Sequence, residues 1–174
     1  FSKVKVNAVL LRDCNDAEVP KFMEWIKRRP VSVRFIELMR TGRNAELFER
    51  HHVSAGTIRL DLLRSGWKQV ERGATDGPAV VFRHPDYQGS IGLIAPYSKD
   101  FCAGCNRLRV SSRGSLRLCL FGDRDASLRK YLADDGDRGE LASQVQSLLK
   151  EKAPSHLLHE GKYGNTWNLA GIGG

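Results

Sequence analysis

Apolar and polar residues alternate from Lys3 to Leu11. Val4, Val6, Ala8 and Leu10 fall on one side and Lys5, Asn7 and Val9 on the other, the period of a strand. Asn15-Asp16 then offers a helix N-cap with Glu18 in the first turn, and Val19, Phe22, Met23 and Ile26 recur at helical spacing before Pro30. Val31 to Leu38, VSVRFIEL, predicts a second strand. Strand, helix and strand within residues 3–38 make one βαβ crossover and point to a parallel sheet. Lys5, Arg34 and Glu37 stand as isolated charges in these strands and need partners wherever they are buried.

Further along, residues 40–53 are polar and read as irregular, and a helix runs from Ser54 to about Arg64, closed by Gly66. Short β segments near Trp67–Glu71, Ala79–Arg83 and Ser90–Ile94, separated by Gly, Pro and Asp turns, predict antiparallel hairpins. Helices are expected near Ala126–Leu132 and Glu140–Lys150, and residues 155–174 read as an aperiodic tail. The expected organisation is α/β: a parallel part over 1–65, an antiparallel α+β part over 66–154, then the tail.

Composition narrows the class. With 174 residues, 41% apolar and 28% charged, the chain is long enough for a hydrophobic core and has a globular composition. No run approaches the ~18 apolar residues of a membrane span, and no secretory signal opens the chain. The opening at Phe1, directly on a strand pattern, suggests a fragment or processed product. A net charge of +8 and a pI near 9.6 favour polyanionic partners, though a solvated basic surface has the same signature. Four cysteines without a signal sequence argue for metal or redox chemistry rather than disulfides. Three of them, Cys102, Cys105 and Cys119, cluster, and Cys14 stands apart as a lone thiol.

Cys102-Ala-Gly-Cys105 can bring two thiolates to one centre, and the spacing alone serves zinc, an iron–sulfur cluster or a redox dithiol. Ser112-Arg113-Gly114 suits a three-residue hairpin turn with Gly114 in the left-handed conformation. Ser111 then opposes Ser115, Arg109 opposes Arg117 and Arg107 opposes Cys119. By parity Leu108, Val110, Leu116, Leu118 and Leu120 form a core face, while Cys105, Arg107, Arg109, Arg117 and Cys119 form the other. Three cysteines are one short of a closed site. Either His156 or His159 completes a Cys₃His zinc site, or one metal position stays open to a ligand. Neighbouring arginines, which fork onto phosphate or carboxylate, favour the open site.

VKVN at 4–7, VRFIELM at 33–39, FCAGCNRLRVSSRGSLRLCLFG at 101–122 and the final Ile-Gly-Gly resemble, in that order, the C-terminal half of the MoaA family, the radical S-adenosylmethionine GTP 3',8-cyclases of molybdenum cofactor biosynthesis. The resemblance implies a 4Fe–4S cluster on Cys102, Cys105 and Cys119 with one iron open to the guanine of GTP. It implies GTP binding by Lys5, Arg34, Arg107, Leu108 and Arg109, an S-adenosylmethionine contact at Met39, and a catalytic Gly173-Gly174 tail. The fold it implies is the C-terminal part of an incomplete (β/α)₆ barrel followed by an α+β cluster domain with antiparallel hairpins. The family's second 4Fe–4S cluster, which cleaves S-adenosylmethionine, sits on a C-x-x-x-C-x-x-C loop absent from this sequence. The chain is therefore expected to be inactive alone and to need the missing N-terminal half. The next enzyme of the pathway, cyclic pyranopterin monophosphate synthase, would be its functional partner. A homodimer and a bacterial cytoplasmic location, mitochondrial in a eukaryote, are the further expectations, with no membrane association.

Plainer readings stand beside these. Lys5 suits a strand end at solvent, Arg34 and Glu37 suit pairing with neighbouring helices, and Met39 suits core packing. His51, His52, His84, His156 and His159 read as surface, and a Gly-rich terminus ordinarily frays. The competing function is a zinc-stabilised basic module that binds nucleic acid without catalysis, with binding that falls steeply with salt.

Overall fold

The alternating segment at the start forms β1 (Val4–Leu10), and the next apolar run forms β2 (Val31–Glu37). Between them lies α1 (Val19–Lys27). The structure is a computed structural model and describes residues 4–73, 76–103, 105–122, 125–164, 166, 167 and 169. The expected βαβ crossover is present: β1 and β2 are parallel, in register from Val4↔Val31 to Leu10↔Glu37. Asn15 does not cap α1. Its side chain closes the preceding loop instead, accepting from the Leu11 N–H at 2.9 Å and donating to the Val9 carbonyl at 2.8 Å, and a 3₁₀ turn at Asp16–Glu18 leads into the helix.

The chain then forms α2 (Ala45–His51), α3 (Ala55–Arg64), β3 (Lys68–Gln69), β4 (Val80–Arg83) and β5 (Ser90–Ile94). Ser54 caps α3, its hydroxyl accepting from the Gly56 N–H at 3.2 Å. The helix α2 lies where an irregular segment is expected. It has no continuous apolar stripe, and its supports are the Glu46–Arg50 pair at 2.6 Å and the stacking of Phe48 on His52, centroids 4.5 Å apart.

Contacts divide the chain into two units, Phe1–Met39 with Glu46–Phe101, and Arg40–Ala45 with Cys102–Gly174. In the first unit, one mixed sheet runs in the order β1-β2-β5-β4-β3, with β1, β2 and β5 parallel and the rest antiparallel. The antiparallel strands thus extend the parallel ones. One sheet face, with Val33, Phe35, Ile91 and Leu93, packs on Ile26 of α1 and Leu62 of α3 as the core. The opposite face carries the register rows Lys5–Ser32–Ser90 and Asn7–Arg34–Gly92. Small and polar residues line that face, with Ser32 and Ser90 each 5% exposed.

Glu37, 2% exposed, has the partners its burial demands. Its carboxylate accepts from the Ala55 N–H at the start of α3 at 3.3 Å and meets His52 Nε2 at 2.8 Å. His52 is therefore not a free surface residue: the carboxylate holds one edge of its ring and Phe48 stacks on its face.

The second unit holds a three-stranded antiparallel sheet of β6 (Arg109–Val110), β7 (Ser115–Arg117) and β8 (Asp125–Ser127), followed by α4 (Arg138–Lys150). The helix expected near Ala126–Leu132 is instead β8 and a 3₁₀ turn at Arg129–Tyr131. The second edge of β7 explains the change. Pairing there matches Arg117 with Asp125 and Leu116 with Ala126, and buries Leu128 to 4% exposure, more than a short isolated helix would gain. The described part of the tail around Thr166 is docked in this unit. Thr166, 1% exposed, donates its hydroxyl to the Leu120 carbonyl at 2.6 Å, and the Gly42 and Arg43 N–H groups donate to the Thr166 and Trp167 carbonyls at 3.1 Å. No helix among the described residues is long and apolar enough to cross a membrane.

Candidate metal and substrate site

The cysteine hairpin forms in the expected register. Arg109 pairs with Arg117 and Val110 with Leu116, and the Ser111 N–H donates to the Ser115 carbonyl at 2.9 Å. Gly114 takes φ +72°, where a side chain would be strained. The apolar face is less complete than expected. Leu116 is buried at 2% exposure, but Leu108 and Val110 are 38% and 60% exposed. They belong to the β6 side, an edge of the small sheet.

At the root of the hairpin the Cys105 N–H donates to the Cys102 carbonyl at 3.0 Å, and Gly104 lies outside the described residues. Cys102 and Cys119 are half-buried and Cys105 is exposed. Burial pushes the Cys119 thiol above its ordinary value, the charges of Cys102 and Cys105 push it further, and the Phe121 N–H and Lys152 oppose the rise. Among the described residues, no group of three His, Cys, Asp or Glu side chains is drawn to metal-ligand geometry. The donor set nonetheless suits a thiophilic centre, with soft sulfur donors beside cations that offset thiolate charge. In the tail, His156 accepts through Nδ1 from the Leu158 N–H at 3.0 Å and packs edge-on to Phe121, and His159 lies 3.7 Å from Glu160.

The three arginines do not stand alike. Arg117, its side chain 12% exposed, makes two bonds to Asp125, at 2.6 and 3.0 Å, a fork-on-fork pair that occupies it. Arg107 and Arg109 are half-buried on the same unit. In the first unit Lys5 is exposed on β1, and Arg34 lies one strand inward on the same face. The Arg34 Nε is buried and meets no hydrogen-bond partner among the described residues. Beside it, a Cβ on Gly92 would lie 3.0 Å from Arg34 Cγ and 3.3 Å from Ala79 Cβ, so Gly92 leaves the arginine its place across the sheet. Met39 is half-buried just beyond the C-terminal end of β2, the end of a parallel strand where α/β proteins bind ligands. Gly173 and Gly174 lie outside the described residues.

Sequence reasoning missed three things here: the commitment of Arg117 to Asp125, the Glu37–His52 pair, and Lys152. The Lys152 ammonium lies 3.0 Å from the Cys105 carbonyl, 3.2 Å from the Arg107 carbonyl and 3.8 Å from Cys105 Sγ. Nothing in local pattern marks a lysine 47 residues downstream of the loop it caps.

Together these features define a mixed α/β protein with a thiol-rich loop, a third thiol at the same end of a small sheet, and flanking basic side chains. The chain belongs to the Molybdenum Cofactor Synthesis C family, which it matches over residues 31–158. Over all 174 residues it is 57% identical to the GTP 3',8-cyclase of Yersinia pestis and covers 53% of that protein. It is 56% identical to the GTP 3',8-cyclase of Vibrio vulnificus strain CMCP6, covering 52%, and 55% identical to that of Aeromonas hydrophila, covering 51%. The chain thus spans about half the length of these relatives.

Proposed function

We propose that this chain is the substrate-holding half of a GTP 3',8-cyclase, acting in the first step of molybdopterin biosynthesis. The observation that carries the reading is membership of this family together with the C-x-x-C turn, closed by the Cys105 N–H on the Cys102 carbonyl and held by the Lys152 ammonium. When bound, a 4Fe–4S cluster on these cysteines would supply an open iron for guanine, and S-adenosylmethionine with a second cluster outside this chain would supply the hydrogen-abstracting chemistry at the 3' carbon.

The task of this chain's own residues is binding and orientation. Arg107 and Arg109 are cationic donors suited to phosphate, and so, in their own unit, are Lys5 and Arg34. The buried Arg34 Nε favours a ligand there, because a buried donor left unpaired costs about 1–3 kcal/mol. Leu108, exposed between two arginines, offers an apolar contact for the base. Met39 would meet S-adenosylmethionine, and the tail anchored through Thr166 would carry Gly173-Gly174 to the reacting end of the substrate. The parallel strands β1, β2 and β5 would complete an incomplete (β/α)₆ barrel with the missing half, without which turnover is not expected.

The test is anaerobic purification followed by iron, sulfide and zinc assay and GTP titration. About four irons per chain, and GTP binding that perturbs the cluster spectrum, are expected. A colourless protein with about one zinc after iron and sulfide reconstitution would refute the reading, and salt-sensitive binding of nucleic acid would then favour the structural module.

A further inference from the structure

The surroundings of Lys152 are specific. It follows directly on the residue that caps α4, and its own backbone N–H donates to the Leu149 carbonyl at 3.2 Å, so the last turn of the helix fixes its Cα. From there its half-buried side chain reaches back to the cysteine loop and donates to the carbonyls of Cys105 and Arg107, at 3.0 and 3.2 Å. These carbonyls flank Asn106, so one ammonium ties both sides of the turn between the second loop cysteine and the first arginine. The same nitrogen lies 3.8 Å from Cys105 Sγ, within reach of a charged N–H···S bond. A lysine suits this place. Its compact ammonium has three donors that point in different directions, enough for two carbonyls and a sulfur at once.

We propose that Lys152 is a positioning residue that sets the shape of the Cys105–Arg107 turn and raises the reduction potential of the centre its sulfur helps to hold. The proposal rests on the metal-centre reading above. Hydrogen bonds to ligand sulfurs, and positive charge nearby, favour the more negative reduced state of an iron–sulfur centre. Removing the ammonium takes away both and releases two carbonyls from one anchor.

The experiment compares the anaerobically purified full-length protein with its Lys152→Met and Lys152→Arg variants. Iron per chain is assayed, and the midpoint potential is measured by redox titration followed by electron paramagnetic resonance. The expected result is near-normal iron with a negative shift of potential in Lys152→Met, largely restored in Lys152→Arg. Iron lost from Lys152→Met but kept by Lys152→Arg supports the proposal equally. An unchanged potential in Lys152→Met at normal iron overturns it, and so does an equal shift or equal iron loss in both variants, since bulk rather than charge would then matter. If Lys152→Met does not fold, Lys152→Gln is read by the same criteria. A wild-type protein that takes up no iron overturns the metal-centre reading itself, an outcome distinct from a normal cluster indifferent to Lys152.

Discussion

Replacing Glu37 tests how the end of β2 is held, two residues before Met39. The side chain is 2% exposed, and its carboxylate satisfies the Ala55 N–H at 3.3 Å and His52 Nε2 at 2.8 Å. In Glu37→Ala the Ala55 N–H, on a residue 1% exposed, loses its side-chain acceptor at a cost of about 1–3 kcal/mol. His52 is 28% exposed and can turn partly to water, so its loss is smaller, about 1 kcal/mol. The vacated space adds a cavity cost of similar size. The whole comes to about 3–5 kcal/mol, the range for breaking one side of a buried polar pair. Glu37→Gln keeps the volume and one acceptor oxygen and should cost about 1 kcal/mol. Equilibrium urea unfolding of the chain, compared at constant m value, measures both. A Glu37→Ala variant within about 1 kcal/mol of wild type, or a Glu37→Gln variant as damaged as it, would refute the assignment of Glu37 as the anchor of α3 and His52.

The raised pKa of Cys119 has a definite sign in stability. The folded chain holds that proton more tightly than the unfolded one, so the contribution is complete below the ordinary thiol pKa and is lost as pH rises through the raised value. The metal-free chain should lose stability with rising pH across that alkaline window. Cys119→Ala should flatten the slope in urea unfolding, and an unchanged slope would remove Cys119 as its source. Gly92→Ala would press a methyl group within 3.0 Å of Arg34 Cγ. It should weaken GTP binding by the full-length protein about tenfold by calorimetry, or ~1.4 kcal/mol, whereas unchanged affinity would take Arg34 out of the binding set. Thr166→Val deletes the buried bond to the Leu120 carbonyl, a loss of about 1–2 kcal/mol. Chymotryptic cleavage at Trp167 should then rise roughly tenfold, and equal cleavage would mean that the tail is held elsewhere.

How far each feature could be read from the chain depends on the range of the interaction that makes it. The βαβ crossover is legible because alternation and helical spacing act between near neighbours, and a strand–helix–strand run this short has one common way to fold back. The hairpin register is legible because Gly114 places the turn, and the turn sets every pair beyond it. The thiol-rich loop and its family are legible as a string of residues. The structure alone decided the partners of charged side chains: Glu37 with His52 and α3, Arg117 with Asp125, Lys152 with the carbonyls of the loop. It also turned an expected helix after Asp125 into a strand, and made α2 from a segment with little apolar pattern. A charge carries no periodicity that names its partner, and a free strand edge or an aromatic stack exerts its pull only after the chain has brought distant segments together. Local preference therefore determined where the elements of this protein begin, and burial of polar groups across the tertiary fold decided which side chains remain available to a ligand.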